Sequence, residues 1–319
     1  MRSAPPLRVV FFGSPTFAVP SLDAVADRHQ VVAVVSQPDR PAGRGRALAP
    51  PPVKELAVRR GLPVLQPERL KGTDIAERLA ALHPDLFVVV AYGRILPVPV
   101  LEVPRLGPWN VHASLLPRYR GAAPIQWALI RGESKTGVCV MRMEAGLDTG
   151  PVAARRELEI HDDDTAGSLA QRLSRVGTDL LVDTIPLIAE GRVALVPQDH
   201  AQATLAPILR KEDGALDFTA TAREVAARAR GVDPWPGPTA LLDGELIKLF
   251  HPCVVEGSGA PGEVLGLGPE GLVVACGTDA VAFGEVQLPG RKRLAAGAVL
   301  AGRPIARGSR LLESWRSAK

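Results

Sequence analysis

Three short apolar runs constrain this chain most: LRVVFFG (7–13), QVVAVVSQ (30–37) and PDLFVVVAYG (84–93). Each is rich in β-branched residues and too short for a core helix, so each reads as a strand buried on both faces. Helical patterns separate them. SPTFAVPSLDAVADR (14–28) opens with Ser14 as a candidate N-cap and Pro15 at a first helical position, and PPVKELAVRRG (51–61) carries a helical stripe. Further along come a strand in GPWNVHA (107–113), a helix in APIQWALIRG (123–132), a strand in TGVCVMRME (136–144) and a long helical stretch in 168–191. Strands alternating with helices predict an α/β domain with a doubly wound, mostly parallel, Rossmann-like sheet over residues 1–196.

The pattern changes after Pro197. Residues 197–210 are polar and strand-poor and read as a linker. ATAREVAARARG (220–231) reads as a helix. Short β-like runs with turn signals follow, including an LDGE hairpin at 242–245. Five or so short strands over residues 211–319 predict a smaller β-barrel domain.

Charge is distributed unevenly. Residues 37–60 hold six basic and two acidic side chains, and residues 289–319 hold eight basic against Glu313. Two basic regions suit a polyanion held at two places, and two solvated faces explain them equally well. Cys139, Cys253 and Cys276 have neither paired nor metal-type spacing, which points away from a disulfide framework and toward a reducing cytoplasm. The N-terminal apolar run is too short for a signal peptide, and no run approaches a membrane span. A soluble, cytoplasmic monomer with no membrane partner is expected.

The first strand–helix turn, GSPTFAVPSL, lacks the glycine spacing of a dinucleotide site and the lysine of a phosphate-cradling loop. No serine sits in a nucleophile elbow, and no histidine pair has metal spacing. What remains is Asn110 and His112, two apart at a strand end, and Asp148 in the glycine-flanked loop MEAGLDTGP. Residues two apart on a strand share a face, and open α/β sheets bind ligands at strand ends. An amide can donate to a developing oxyanion and an imidazole can move a proton near neutral pH. Without a nucleophile, this set fits direct transfer of an acyl-type group. On spacing alone, a buried polar cluster that ties loops together is the simpler reading.

NVHASLLPRYRGAAPIQWA (110–128) followed by GVCVMRMEAGLDTGP (137–151) resembles the folate-dependent formyltransferases. FFGSPTFAVPSL, SQPDRPAGRGRALAPPPVKELA, VVAYGRILP, LAPILRKEDGALDF and PGEVLG narrow the resemblance to the methionyl-tRNA formyltransferase family, over about Leu7 to Arg310. The resemblance implies that the methionine amino group on initiator methionyl-tRNA attacks the formyl carbon of 10-formyltetrahydrofolate. Asn110 would hold the formyl oxygen, His112 would stabilise it and pass a proton to the folate nitrogen, and Asp148 would orient His112. Ser114, Leu115, Leu116 and Pro117 correspond to the folate-binding loop, with Tyr92, Gly93, Ile95 and Leu96 as another wall. The insertion at about 37–52 would contact the tRNA acceptor end through Arg40, Arg44 and Arg46. The C-terminal barrel would be OB-like and hold the tRNA through Arg291, Lys292 and Arg293. No metal is implied.

Ala113 stands where many relatives have glycine, and Tyr119 where some have tryptophan. His29, His83, His161, His200 and His251 match no motif and read as structural or surface residues. Rival readings are a formyltransferase for glycinamide ribonucleotide or a nucleotide sugar, a formyl-folate hydrolase, and a non-catalytic tRNA-binding protein.

Overall fold

The computed structural model describes residues 6–42 and 47–314. They form two compact units, Met1–Ala122 with Thr136–Leu158 and Ala170–Ala206, and Ala123–Lys135 with Glu159–Leu169 and Pro207–Lys319.

In the first unit, seven strands form one sheet: β1 (Arg8–Gly13), β2 (Gln30–Val35), β3 (Val64–Leu65), β4 (Leu86–Val90), β5 (Pro108–His112), β6 (Lys135–Arg142) and β7 (Val152–Glu159). Their spatial order is β7-β6-β5-β4-β1-β2-β3. From β3 to β5 every pairing is parallel. The expected mostly parallel sheet therefore holds, with a reversal of strand order between β1 and β4, where such sheets open a ligand crevice. The following strand is the antiparallel member that a mostly parallel sheet allows: β6 runs antiparallel to β5, pairing His112 with Cys139 and Asn110 with Met141. TGVCVMRME is as apolar as its parallel neighbours, so composition could not reveal its direction.

β4 and β5 are buried along their whole length, as expected for strands covered on both faces. Phe12 packs against Phe87 at 5.1 Å and edge-on to Tyr92 at 5.5 Å in the core beside β1 and β4. Burial of one such ring contributes about 1.5–3 kcal/mol. Helix α1 (Val19–Ala26) begins later than the sequence suggests, after a single tight turn at Thr16–Ala18. Ser14 is not its cap; its Oγ instead accepts from the Gln37 N–H at 3.1 Å, tying the ends of β1 and β2. Pro52–Arg59 forms α2, Ile75–Ala80 α3 and Val98–Leu101 α4. The long helix Ala166–Ala189 (α6, following α5 at Pro124–Ile130) backs the sheet. Gly177 lets it approach closely: a Cβ there would lie 2.9 Å from Val111 and 3.2 Å from Val138. The helix thereby fixes the strand that carries Asn110 and His112.

The segment read as a linker is docked at its start. Leu205–Ala206 pairs in parallel with Arg120–Gly121, and residues up to Ala206 belong to the first unit.

The second unit is built around β8 (Thr239–Leu242), β9 (Glu245–Val255), β10 (Val264–Gly268), β11 (Gly271–Ala275), β12 (Ala280–Gln287), β13 (Leu294–Ala295) and β14 (Leu311–Leu312). Its path is β10-β11-β12-β9-β8-β14, with β13 on β12. The LDGE hairpin forms as expected, Asp243 and Gly244 both taking positive φ, as a two-residue turn between right-twisted strands requires. Helix α7 (Ala222–Gly231) is set by a capping box, Thr221 accepting from the Glu224 N–H while the Glu224 carboxylate takes the Thr221 N–H. Val225, Ala226 and Ala229 join Leu249, Leu272, Val274, Phe283 and Val286 in one core. The unit is an antiparallel sheet, and no ladder closes it among the described residues. Its two edges meet through one bridge, Glu263 to Arg310, with hydrogen bonds from Val264 N to Ser309 O and from Leu311 N to Gly262 O.

Candidate active site

Asn110 and His112 sit on the C-terminal half of β5, 9% and 5% exposed. Period-two alternation sends both side chains to one face. The Asn110 amide makes no hydrogen bond among the described residues, so it stands free to donate. His112 is held at one ring nitrogen and faces a carboxylate with the other. Nε2 lies 2.9 Å from the Tyr119 carbonyl, which only accepts, so Nε2 carries the hydrogen. Nδ1 faces Asp148 Oδ2 at 3.7 Å, too far for a hydrogen bond but within ion-pair range for a protonated ring. The Asp148 carboxylate in turn accepts the Gly121 N–H at 2.8 Å. The three residues singled out in the sequence thus converge. The hydrogen bond that orients the imidazole, however, is donated by Nε2 to the Tyr119 carbonyl, and none is made with Asp148.

The SLLP loop follows directly. Ser114 is fully buried, and its Oγ donates to Arg118 O at 2.6 Å, closing the loop on itself. Leu116 is buried against Cys139 and Met141, whereas Leu115 and Pro117 are partly exposed. Only the latter two can offer apolar wall to a ligand. Burial pushes the Cys139 thiol up to about 11, which keeps it a small neutral core residue beneath the site.

The residues after β4 separate in the same way. The Tyr92 ring is 1% exposed in the core, its hydroxyl has no partner among the described residues, and burial raises its pKa. Leu96, 3% exposed, is also core. Of the four residues expected to form a wall, these two side chains are packed in the core. Ile95 is 81% exposed and Gly93 is exposed, so these two remain at the surface. A hollow of about 600 Å³ is lined among others by Val98, Leu101, Met143 and Ala145.

Among the arginine candidates, Arg40 is exposed at the start of a hairpin (Arg40–Ala42 with Ala47–Ala49) and donates to Gln37 Oε1 at 2.7 Å. Arg44 and Arg46 lie outside the described residues. Arg291 and Lys292 are exposed. Arg293 is differently engaged: its guanidinium stacks 3.8 Å over the Phe250 ring and pairs with Asp233 and Glu285. With both neighbouring carboxylates satisfied by it, Arg293 is a structural tie and not an available phosphate contact.

Sequence reasoning missed the main-chain groups Tyr119 O and Gly121 N–H, because backbone atoms leave no mark on residue identity. It also missed Gln198, which lies in the stretch read as linker and reaches the Asp148 loop.

Residues 7–185 match the formyl transferase family and residues 208–304 the formyl transferase C-terminal domain. A 3-2-1-4-5 sheet carrying those matches defines a formyl transferase. A protein named methionyl-tRNA formyltransferase from Citrifermentans bemidjiense is 47% identical over 306 residues, 96% of each chain. Its namesake in Myxococcus xanthus is 48% identical over 302 residues, 95% of this chain and 97% of that one. The chain belongs to the methionyl-tRNA formyltransferase family. A crystal structure of HypX from Aquifex aeolicus in complex with tetrahydrofolic acid shares the fold, with TM-score 0.65 and 19% identity over 92% of this chain. This chain spans 47% of that longer protein.

Proposed function

We propose that this enzyme transfers the formyl group of 10-formyltetrahydrofolate directly to the methionine amino group of initiator methionyl-tRNA, with Asn110, His112 and Asp148 as its working groups. The observation that supports this reading most is the Asn110 amide, uncommitted among the described residues, beside an imidazole whose two nitrogens face a carbonyl and a carboxylate. The amine attacks the formyl carbon, and the carbonyl oxygen gains negative charge as the centre becomes tetrahedral. Asn110 donates to that oxygen. Nε2 of His112 is engaged with Tyr119 O, so Nδ1 is the ring atom that takes and returns the proton. The proton leaves the attacking nitrogen and ends on the departing folate nitrogen, while Asp148 stabilises the cationic ring. No bond to the protein forms at any stage.

Leu115, Pro117, Ile95 and Gly93 supply the apolar and main-chain surface a flat pterin needs, and the hollow beside Leu101 and Met143 offers it depth. Arg40, Arg44 and Arg46 contact the acceptor end, and Arg291 and Lys292 contact phosphates on the tRNA body. The bridge that joins the sheet edges of the second unit supports reading that unit as OB-like. The work is cytoplasmic. Transfer rates of Asn110→Ala and His112→Ala test the assignment. Loss of a single oxyanion donor at Asn110 is expected to cost about 2.7–4 kcal/mol, or roughly a hundred- to a thousandfold. Rates within threefold of wild type for both variants would remove these residues from the mechanism.

A further inference from the structure

The loop that carries Asp148 is gripped by two buried polar side chains that the mechanism above does not use. Gln198, 9% exposed, donates both amide hydrogens to main-chain carbonyls, Asp148 O at 2.8 Å and Gly150 O at 2.6 Å. Its own Oε1 accepts two hydrogen bonds from Arg120, Nε at 3.1 Å and Nη2 at 2.7 Å. Arg120 is 7% exposed, and its Nη2 also meets His200 Nδ1 at 3.0 Å. Every polar atom of the Gln198 amide is thereby used.

What this grip holds is a costly conformation. Asp148 sits at φ +52°, the left-handed region, where a non-glycine residue persists only if its surroundings over-determine it. Arg120 and Gly121 act on it from two directions. Arg120 fixes the Asp148 main chain through Gln198, and the Gly121 N–H fixes the carboxylate itself. The chemistry demands an amide at 198. Two carbonyls need donors and one guanidinium fork needs an acceptor, and glutamine alone offers both in this shape.

We infer that Gln198, braced by Arg120, is a positioning residue for formyl transfer: it sets the Asp148 main chain so that the carboxylate meets His112 Nδ1. The inference rests on the roles given above to His112 and Asp148. A merely structural Gln198 would affect folding but leave the proton step alone.

The test uses Gln198→Glu in the full-length protein. This substitution keeps shape and the acceptor for Arg120 but turns both donations into repulsions. Turnover with charged initiator tRNA is expected to fall about ten- to a hundredfold, as for a displaced catalytic group, with the KM for tRNA unchanged. The deficit should narrow as pH falls, because a protonated carboxyl regains one donor. In an Asp148→Asn background the same substitution should cost less than about twofold, since both act through one group. Arg120→Lys, which keeps the charge but loses the fork, should give a smaller loss of the same kind, and it carries the test if Gln198→Glu does not fold. Wild-type turnover in Gln198→Glu, an equal fold-loss in the Asp148→Asn background, or a loss that follows a lowered melting temperature would each overturn the inference. If wild-type protein itself transfers no formyl group, the functional reading fails and takes this one with it.

Discussion

Replacing Asp148 with asparagine isolates the carboxylate charge from everything else at the site. An asparagine oxygen can still accept the Gly121 N–H, now made at 2.8 Å, so the loop keeps its anchor. What disappears is the attraction between the carboxylate and a proton on His112 Nδ1, 3.7 Å away. Two unit charges at that separation attract by about 4 kcal/mol at an effective dielectric near 20. The Asp148 side chain is 15% exposed, so solvent screens part of that. At about 1.4 kcal/mol per factor of ten, turnover should fall by roughly a hundred- to a thousandfold. The assay is formylation of charged initiator tRNA under single-turnover conditions, alongside thermal unfolding. A fall in rate with an unchanged melting temperature is expected. A rate within threefold of wild type would refute the role of the carboxylate, and an equal collapse in stability would show that it holds the loop instead.

Other outcomes follow from the same geometry. Tyr92→Phe removes a buried hydroxyl that lacks a partner among the described residues, so it should leave the folate KM unchanged and raise stability by up to about 1–2 kcal/mol in chemical denaturation; a raised KM would place Tyr92 in the ligand wall. Arg291→Gln with Lys292→Gln should flatten the salt dependence of tRNA binding, whereas Arg293→Ala should instead lower stability by about 1–3 kcal/mol by stranding Asp233; the reverse pattern would contradict the tie to Phe250. Thiol reagents should modify Cys253 rapidly and leave Cys139 and Cys276 untouched until unfolding. Because burial raises both of those thiols to about 11, the folded chain holds their protons more tightly than the unfolded one does. Stability should therefore decline as pH rises from about 9 toward 11, and a flat alkaline profile would count against their burial.

The parallel sheet was legible because buried strands repeat one composition, and β1, β2, β4 and β5 each carry it. Direction was not, since β6 has the same apolar character whichever way it runs. Asn110 and His112 could be found because strand alternation converts spacing into shared direction, and Asp148 because glycines flank it. What spacing could not supply was which atoms meet. That Tyr92 points into the core and that Arg293 is spent on Asp233 depend on contacts between residues far apart in the chain, and that Nε2 is taken by Tyr119 O depends on how the loop between them folds back. Gln198 was hidden for a similar reason. Its stretch is polar and poor in strand formers, and only its docking beside Arg120–Gly121 gives it a task.

The most direct test of the central claim is a comparison of acceptors. Purified protein is given 10-formyltetrahydrofolate with charged initiator tRNA, with glycinamide ribonucleotide, with an amino sugar nucleotide, or with none, and formyl transfer is followed in each. Formylation of the tRNA-borne methionine alone is the expected result. Turnover with a small acceptor, or release of formate without one, would keep Asn110 and His112 as catalysts but contradict the assignment of tRNA as their substrate.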